Sequence, residues 1–157
     1  MIILLDTKTT QTMTIRQNLN FTRILISNNC DKDSKIIERM IPLKQRVLEY
    51  IFYRKHVSLA ELKIYFEDEF TGDNAWYFTP YTNLIIWSGI NQAFTTILND
   101  LQVDKLIQVK RCMVLIYAID GVIPNMKVAR YIRQYKKPRW LPVVFNPTSK
   151  CYDILGL

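Results

Sequence analysis

The spacing of apolar residues switches repeatedly between the strand period and the helix period along this 157-residue chain, a pattern that fits only a mixed α+β fold. Across residues 12–27, Met13, Ile15, Leu19, Phe21, Ile24 and Ile26 are interleaved with polar side chains, as in one or two half-buried strands. A loop at 28–33 and a short helix at 34–40, capped by Ser34, follow. Leu43, Val47, Leu48, Ile51 and Phe52 then fall on one face of a helix that begins near Pro42 and reaches about residue 55. Ser58-Leu59-Ala60-Glu61 has the form of a capping box and opens a second helix, which runs out in the acidic stretch 67–73. After an aromatic loop at 74–79, the spacing of Trp87, Ile90, Phe94, Ile97, Leu98 and Leu101 predicts a long helix over 81–101. Two β-rich runs, 106–109 and 113–119, form a hairpin through Lys110-Arg111-Cys112. Pro124 introduces a last helix to about residue 137, Pro138 stops it, and 141–145 adds a strand. With no repeat and no linker-like tract, residues 42–157 read as one domain preceded by an N-terminal β extension, 1–41.

Apolar residues make up 49% of the chain and aromatics 12%, enough for a core and against default disorder. Only 4 glycines are present, and no glycine-rich phosphate loop occurs, which disfavours the common nucleotide-driven motors. Cys30, Cys112 and Cys151 are odd in number and widely spaced, so neither a disulfide framework nor a zinc knuckle is expected. The apolar start, residues 1–5, is too short for a signal peptide, and no run approaches the roughly 18 apolar residues of a membrane span. A cytoplasmic protein without a membrane partner is the expectation.

Charge is concentrated at one end. Against a net +7, residues 1–41 hold 6 basic and 4 acidic side chains, 42–101 hold 5 and 7, and 102–157 hold 10 and 3. Lys127, Arg130, Arg133, Lys136, Lys137 and Arg139 recur every few residues through the last expected helix, with Met126, Val128, Ala129 and Ile132 on its apolar side. Cations so spaced can track a phosphate backbone and release its counterions; the competing reading is a solvated amphipathic face. Trp140 is assigned to anchoring the tail. On the long helix, Asn91, Gln92, Thr95 and Asn99 form an uncharged polar strip able to meet base edges. That strip, with the aromatic loop Trp76-Tyr77-Phe78, suits a subunit interface equally well, giving a homodimer or protein partner through residues 74–101.

Catalytic patterns are weak. His56 is the single histidine and sits at a helix boundary, and Ser58 beside it is better used as a cap. Gln108-Val109-Lys110 is similar to the end of a restriction-nuclease core, but the preceding acidic strand is missing. Cys112 gains an expected depressed pKa from Arg111 but has no acyl-transfer partner. The acidic group Glu67, Asp68, Glu69 and Asp73 does not match a calcium loop, so no metal or cofactor is expected.

Three helices followed by a two-stranded hairpin is the order of a winged helix, and residues 42–119 resemble that fold in element order and length. The resemblance implies that the helix over 81–101 lies in the DNA major groove and that Lys110 and Arg111 form the wing tip against the flanking backbone. The loop of about a dozen residues between the second and third helices is longer than the usual 3–4-residue turn. The resulting expectation is a non-enzymatic protein that binds double-stranded DNA, either a transcriptional regulator or a mobile-element accessory factor. Its phosphate contacts are Lys110, Arg111 and the basic C-terminal helix, and its base contacts are Asn91, Gln92 and Thr95. A protein-interaction module is the alternative, and RNA binding by exposed Tyr or Trp is the third reading.

Overall fold

The computed structural model describes residues 42–155; the expected extension 1–41, with its strands and short helix, lies outside the described residues. The chain is α+β. In order it forms α1 (Leu43–Arg54), β1 (Val57–Ser58), α2 (Leu59–Tyr65), α3 (Glu67–Phe70), β2 (Thr71–Tyr77) and β3 (Leu84–Ile90). Next come α4 (Gln92–Val103), β4 (Ile107–Arg111), α5 (Val114–Ile119), β5 (Arg139–Trp140), β6 (Val143–Pro147) and α6 (Ser149–Leu155). Two three-stranded sheets result, one ordered β1-β6-β4 and antiparallel throughout, the other ordered β2-β3-β5. In the second sheet β2 and β3 form an antiparallel hairpin, while β5 joins β3 in parallel.

The locally encoded elements appear where expected. Val47, Leu48, Ile51 and Phe52 are the buried face of α1. Ser58 caps α2 by accepting the Glu61 backbone N–H at 3.0 Å. The reciprocal arm of the capping box is absent, because the Glu61 carboxylate accepts from Tyr50 Oη and Arg54 Nε instead. The strand expected at 141–145 is β6, shifted by two residues and buried along its whole length as the central strand of its sheet.

Four expectations are replaced, and the first is the aromatic loop at 74–79, of which 74–77 belong to strand β2. The stretch 81–101 is not one helix but β3 followed by α4, with Gly89 at φ 78° and Asn91 as N-cap at the junction. Leu84, Ile85, Ile86 and Trp87 are all buried, so the strand has no polar face to betray its period, and an apolar run of that kind also fits a helix. The 106–119 hairpin does not form either: β4 pairs with β6, from Ile107 opposite Pro147 to Arg111 opposite Val143, and 114–119 is the helix α5. Lys110 and Arg111 are therefore the end of a strand, not the tip of a wing. The basic helix expected over 124–137 is irregular chain. Its backbone is engaged elsewhere: Ala129 N–H donates to Trp140 O at 2.7 Å, Trp140 N–H donates to Lys127 O at 2.9 Å, and Arg111 takes the carbonyls of Ala129 and Arg130. Those groups are occupied and cannot join an i→i−4 ladder. The hairpin expected as a wing at 106–119 is thus absent, and the antiparallel hairpin that follows the first three helices is β2–β3.

A single hydrophobic cluster spans both sheets and the helices. At its centre Tyr117 of α5 is fully buried, stacked on Trp87 of β3 and edge-on to Trp140 of β5 at centroid distances of 5.9 and 4.8 Å. Its hydroxyl donates to Val143 O of β6 at 2.7 Å and accepts the Leu59 N–H at the start of α2. Trp140, 1% exposed, anchors the tail as expected. No helix among the described residues is long and apolar enough to cross a membrane. Replacing Tyr117→Phe leaves the buried Leu59 N–H without its acceptor and should destabilise the fold by about 1–3 kcal/mol; chemical denaturation of the variant against the parent measures it, with an unchanged midpoint counting against this role.

Candidate nucleic-acid interface

Between Asp120 and Asp153 the chain holds no acidic residue, yet it carries Lys127, Arg130, Arg133, Lys136, Lys137, Arg139 and Lys150. The first five lie on irregular chain and Arg139 opens β5, so that 127–139 is a basic arm whose two ends are tied to the sheets. At one end Val128 makes a parallel bridge to Trp140. At the other, Arg139 pairs with Leu84 in β3, and its N–H donates to Asn83 O at 2.9 Å. Arg111, at the end of β4, reaches across with its Nη2 to Arg130 O at 3.0 Å. Of the two basic groups expected to act together, 110–111 and 127–139, Arg111 is brought against the arm, by a strand and not by a wing, while Lys110 makes no described contact with it.

The outer part of the arm is built on tyrosines. The Tyr131 N–H donates to Tyr135 Oη at 3.0 Å, and Tyr135 Oη donates back to Tyr131 O at 2.8 Å, closing a small loop around Ile132, Arg133 and Gln134. The Arg133 guanidinium lies 5.1 Å from the Tyr135 ring centroid and 5.9 Å from that of Tyr131, and Arg139 lies 5.8 Å from Tyr135. Such cation–π contacts hold the arginines in place without neutralising them. Tyr131 itself remains 64% exposed.

Gln134 fastens this loop to the turn between β2 and β3. Its Oε1 accepts the Thr82 N–H at 3.1 Å while its Nε2 donates to Thr82 Oγ1 at 3.0 Å, and Asn83 Nδ2 donates to Tyr135 O at 2.8 Å. The same turn contains an open hollow of about 410 Å³, lined by Tyr77, Thr79, Pro80, Tyr81 and Thr82. The turn after Tyr77 and the basic stretch, separate in sequence, are thereby joined.

The charged side chains described on the arm are cations. The ion pairs among the described residues join Lys44 to Asp104, Arg46 to Glu69 and Arg54 to Glu61, so no described carboxylate pairs with an arm cation. Lys110, Lys127, Arg130, Arg133, Lys136 and Lys137 are exposed. Arg111 is exposed as well, but its guanidinium is committed to the arm backbone.

The expected base-reading strip is dispersed. Asn91 is the N-cap of α4, with its Oδ1 accepting the Ala93 N–H at 2.9 Å. Thr95 is 6% exposed and its hydroxyl donates to Asn91 O, so it cannot reach a base edge. Gln92 is exposed, but no described hydrogen bond joins these three residues to the arm. The interface expected over 74–101 is largely used internally: Ile85, Ile86, Trp87 and Ile90 are buried, and Trp76 stacks on Phe145. Tyr131, Gln134, Tyr135 and the 77–82 hollow were not singled out from sequence; the signal was the alternation of Tyr and cation in Arg130-Tyr131-Ile132-Arg133-Gln134-Tyr135-Lys136.

Other reactive groups are subdued. Burial, with the Asp120 charge adding to it, pushes the Cys112 thiol up to about 11, the reverse of the depression expected from Arg111. Ser58 Oγ donates to the Asp120 carboxylate while serving as the α2 cap. Comparison of the chain with protein-family models, with curated proteins and with solved structures returns no match.

Tyrosine ionisation provides a direct check on the geometry. The Tyr131 N–H donated to its oxygen, with Arg133 and Arg139 assisting, holds the Tyr135 phenol below the ordinary tyrosine range, whereas burial, reinforced by Glu61, pushes Tyr50 up to about 12. In a spectrophotometric titration Tyr135→Phe should remove a phenolate step from below the ordinary range and Tyr50→Phe a late one. The sign for stability follows: unfolded Tyr50 ionises near pH ~10, so stability held by its folded protonated form declines as pH rises from there toward about 12. Thermal unfolding across that window should lose part of its slope in Tyr50→Phe.

Proposed function

We propose that this chain is a DNA-binding protein that holds the nucleic-acid backbone on the basic arm 127–139. The observation that carries this reading is the run of exposed cations on the arm with no described carboxylate paired to them, on a segment pinned at both ends. Pinning matters because an ordered arm gives up less conformational freedom when it binds. Each cation that neutralises a phosphate releases counterions, which gives affinity without sequence preference. A role as a regulator or as an accessory factor of a mobile element is compatible with such binding.

A second reading is favoured by a different surface. Leu115 and Ile119, one turn apart at 61% and 77% exposure, place an apolar face of α5 in solvent, as a protein contact would require. Light scattering discriminates, since a stable assembly indifferent to nucleic acid supports that reading.

Lys127, Arg130, Lys136 and Lys137 are the residues to neutralise, because their side chains hold no described part of the fold together. Their joint replacement by Gln should weaken binding on every sequence and lower the slope of log K against log salt by about 0.7–0.9 for each phosphate that is no longer neutralised. Fluorescence anisotropy over a salt series measures the slope; an unaltered slope would remove the arm from the interface.

A further inference from the structure

We propose that the arm and the adjoining turn bind an unpaired single strand of nucleic acid in preference to a duplex, with one base laid on the Tyr131 ring and another seated in the hollow against Tyr77 and Tyr81. This rests on the nucleic-acid reading above and specifies the state of the strand. Phosphate attraction alone explains the lysines but not the aromatic groups beside them. Tyr131 presents its ring to solvent while both polar groups of its backbone are clamped by Tyr135 Oη, so the ring is displayed from a fixed position. Tyr77, 45% exposed, lines the hollow with Tyr81 and Pro80, and the Gln134–Thr82 pair of hydrogen bonds sets that hollow directly beside the arm. Its volume of about 410 Å³ falls within the roughly 300–1,000 Å³ of small-molecule sites, room enough for a base.

Inside a duplex each base face is covered by its neighbours, and exposed tyrosines have nothing to stack on. An unpaired strand offers both ring faces and phosphates, the combination met by aromatic platforms in a cationic groove. Arg133 and Arg139, held against the Tyr135 ring, keep positive charge close to the platform. The contacts are to ring faces and phosphates, which DNA and RNA share, so single-stranded DNA is bound without need of a 2′-hydroxyl.

The test uses the full chain with three probes of one mixed sequence: single-stranded DNA, the same sequence as RNA, and the DNA duplex, each titrated across a salt series. Single-stranded DNA should bind at least tenfold more tightly than duplex at equal salt. Tyr131→Ala should weaken single-strand binding by about 5- to 150-fold, the range of one base–aromatic stack, with the salt slope and thermal midpoint unchanged; Tyr131→Phe should retain binding. Tighter binding to duplex, binding confined to RNA, or full single-strand affinity in Tyr131→Ala overturns this inference. After the first and third of these outcomes the arm reading stands as long as neutralising Lys127, Arg130, Lys136 and Lys137 flattens the salt slope, whereas binding confined to RNA overturns the DNA reading as well. Binding to none of the probes overturns both.

Discussion

Tyr117 decides how the two sheets meet. Its ring lies between Trp87 and Trp140 of one sheet, and its hydroxyl bridges Val143 of the other to the first turn of α2. A buried phenol must satisfy its hydroxyl, and here the partners are backbone groups that would otherwise be orphaned: the Leu59 N–H belongs to the unpaired first turn of a helix. Burial accordingly shifts the phenol well above its ordinary range. One side chain thus positions α2, α5, β3, β5 and β6 together, and the remaining aromatic packing, such as Phe70 on Trp87 and Trp76 on Phe145, extends from it.

The basic arm inherits its order from that arrangement. Trp140 is locked under Tyr117, and Trp140 in turn exchanges backbone hydrogen bonds with Lys127 and Ala129. A segment rich in like charges repels itself and gains nothing from forming a helix with every cation on one side. Bonding its backbone to β5 and to Arg111 fixes it in an irregular loop instead. Arg111, a cation among cations, acts here as a bracket, since its donors point at carbonyls and leave Arg130 and its neighbours to face solvent.

Where the sequence was legible, the signal was local. The apolar stripe of α1 and the Ser58 cap depend on residues within four positions of one another, and both are found at the expected places. The crowding of positive charge after residue 102 is likewise a property of order along the chain. The departures share a different cause. Trp87, Ile90, Phe94 and Leu98 keep helical spacing across what is a strand-to-helix junction, and only the buried pairing of Leu84–Ile90 with β2 and β5 separates the two. Residues 113–119 have strand composition, yet β4 takes β6 as its partner, so this run is free to coil and bury Tyr117. Thr95 has the chemistry of a base reader, but its burial against the core cannot be inferred from its own helix.

By itself the sequence determined an α+β chain with a core, helix starts at their caps, and a surplus of cations in its last third, because propensity, capping and charge act over a few residues. Tertiary structure decided which strands pair, that the basic stretch is an arm and not a helix, and that Gln134 and Tyr135 bring it to the aromatic turn at 77–82. Those outcomes depend on contacts between residues some fifty positions apart, such as Gln134 with Thr82, where backbone hydrogen bonding and burial outweigh local preference.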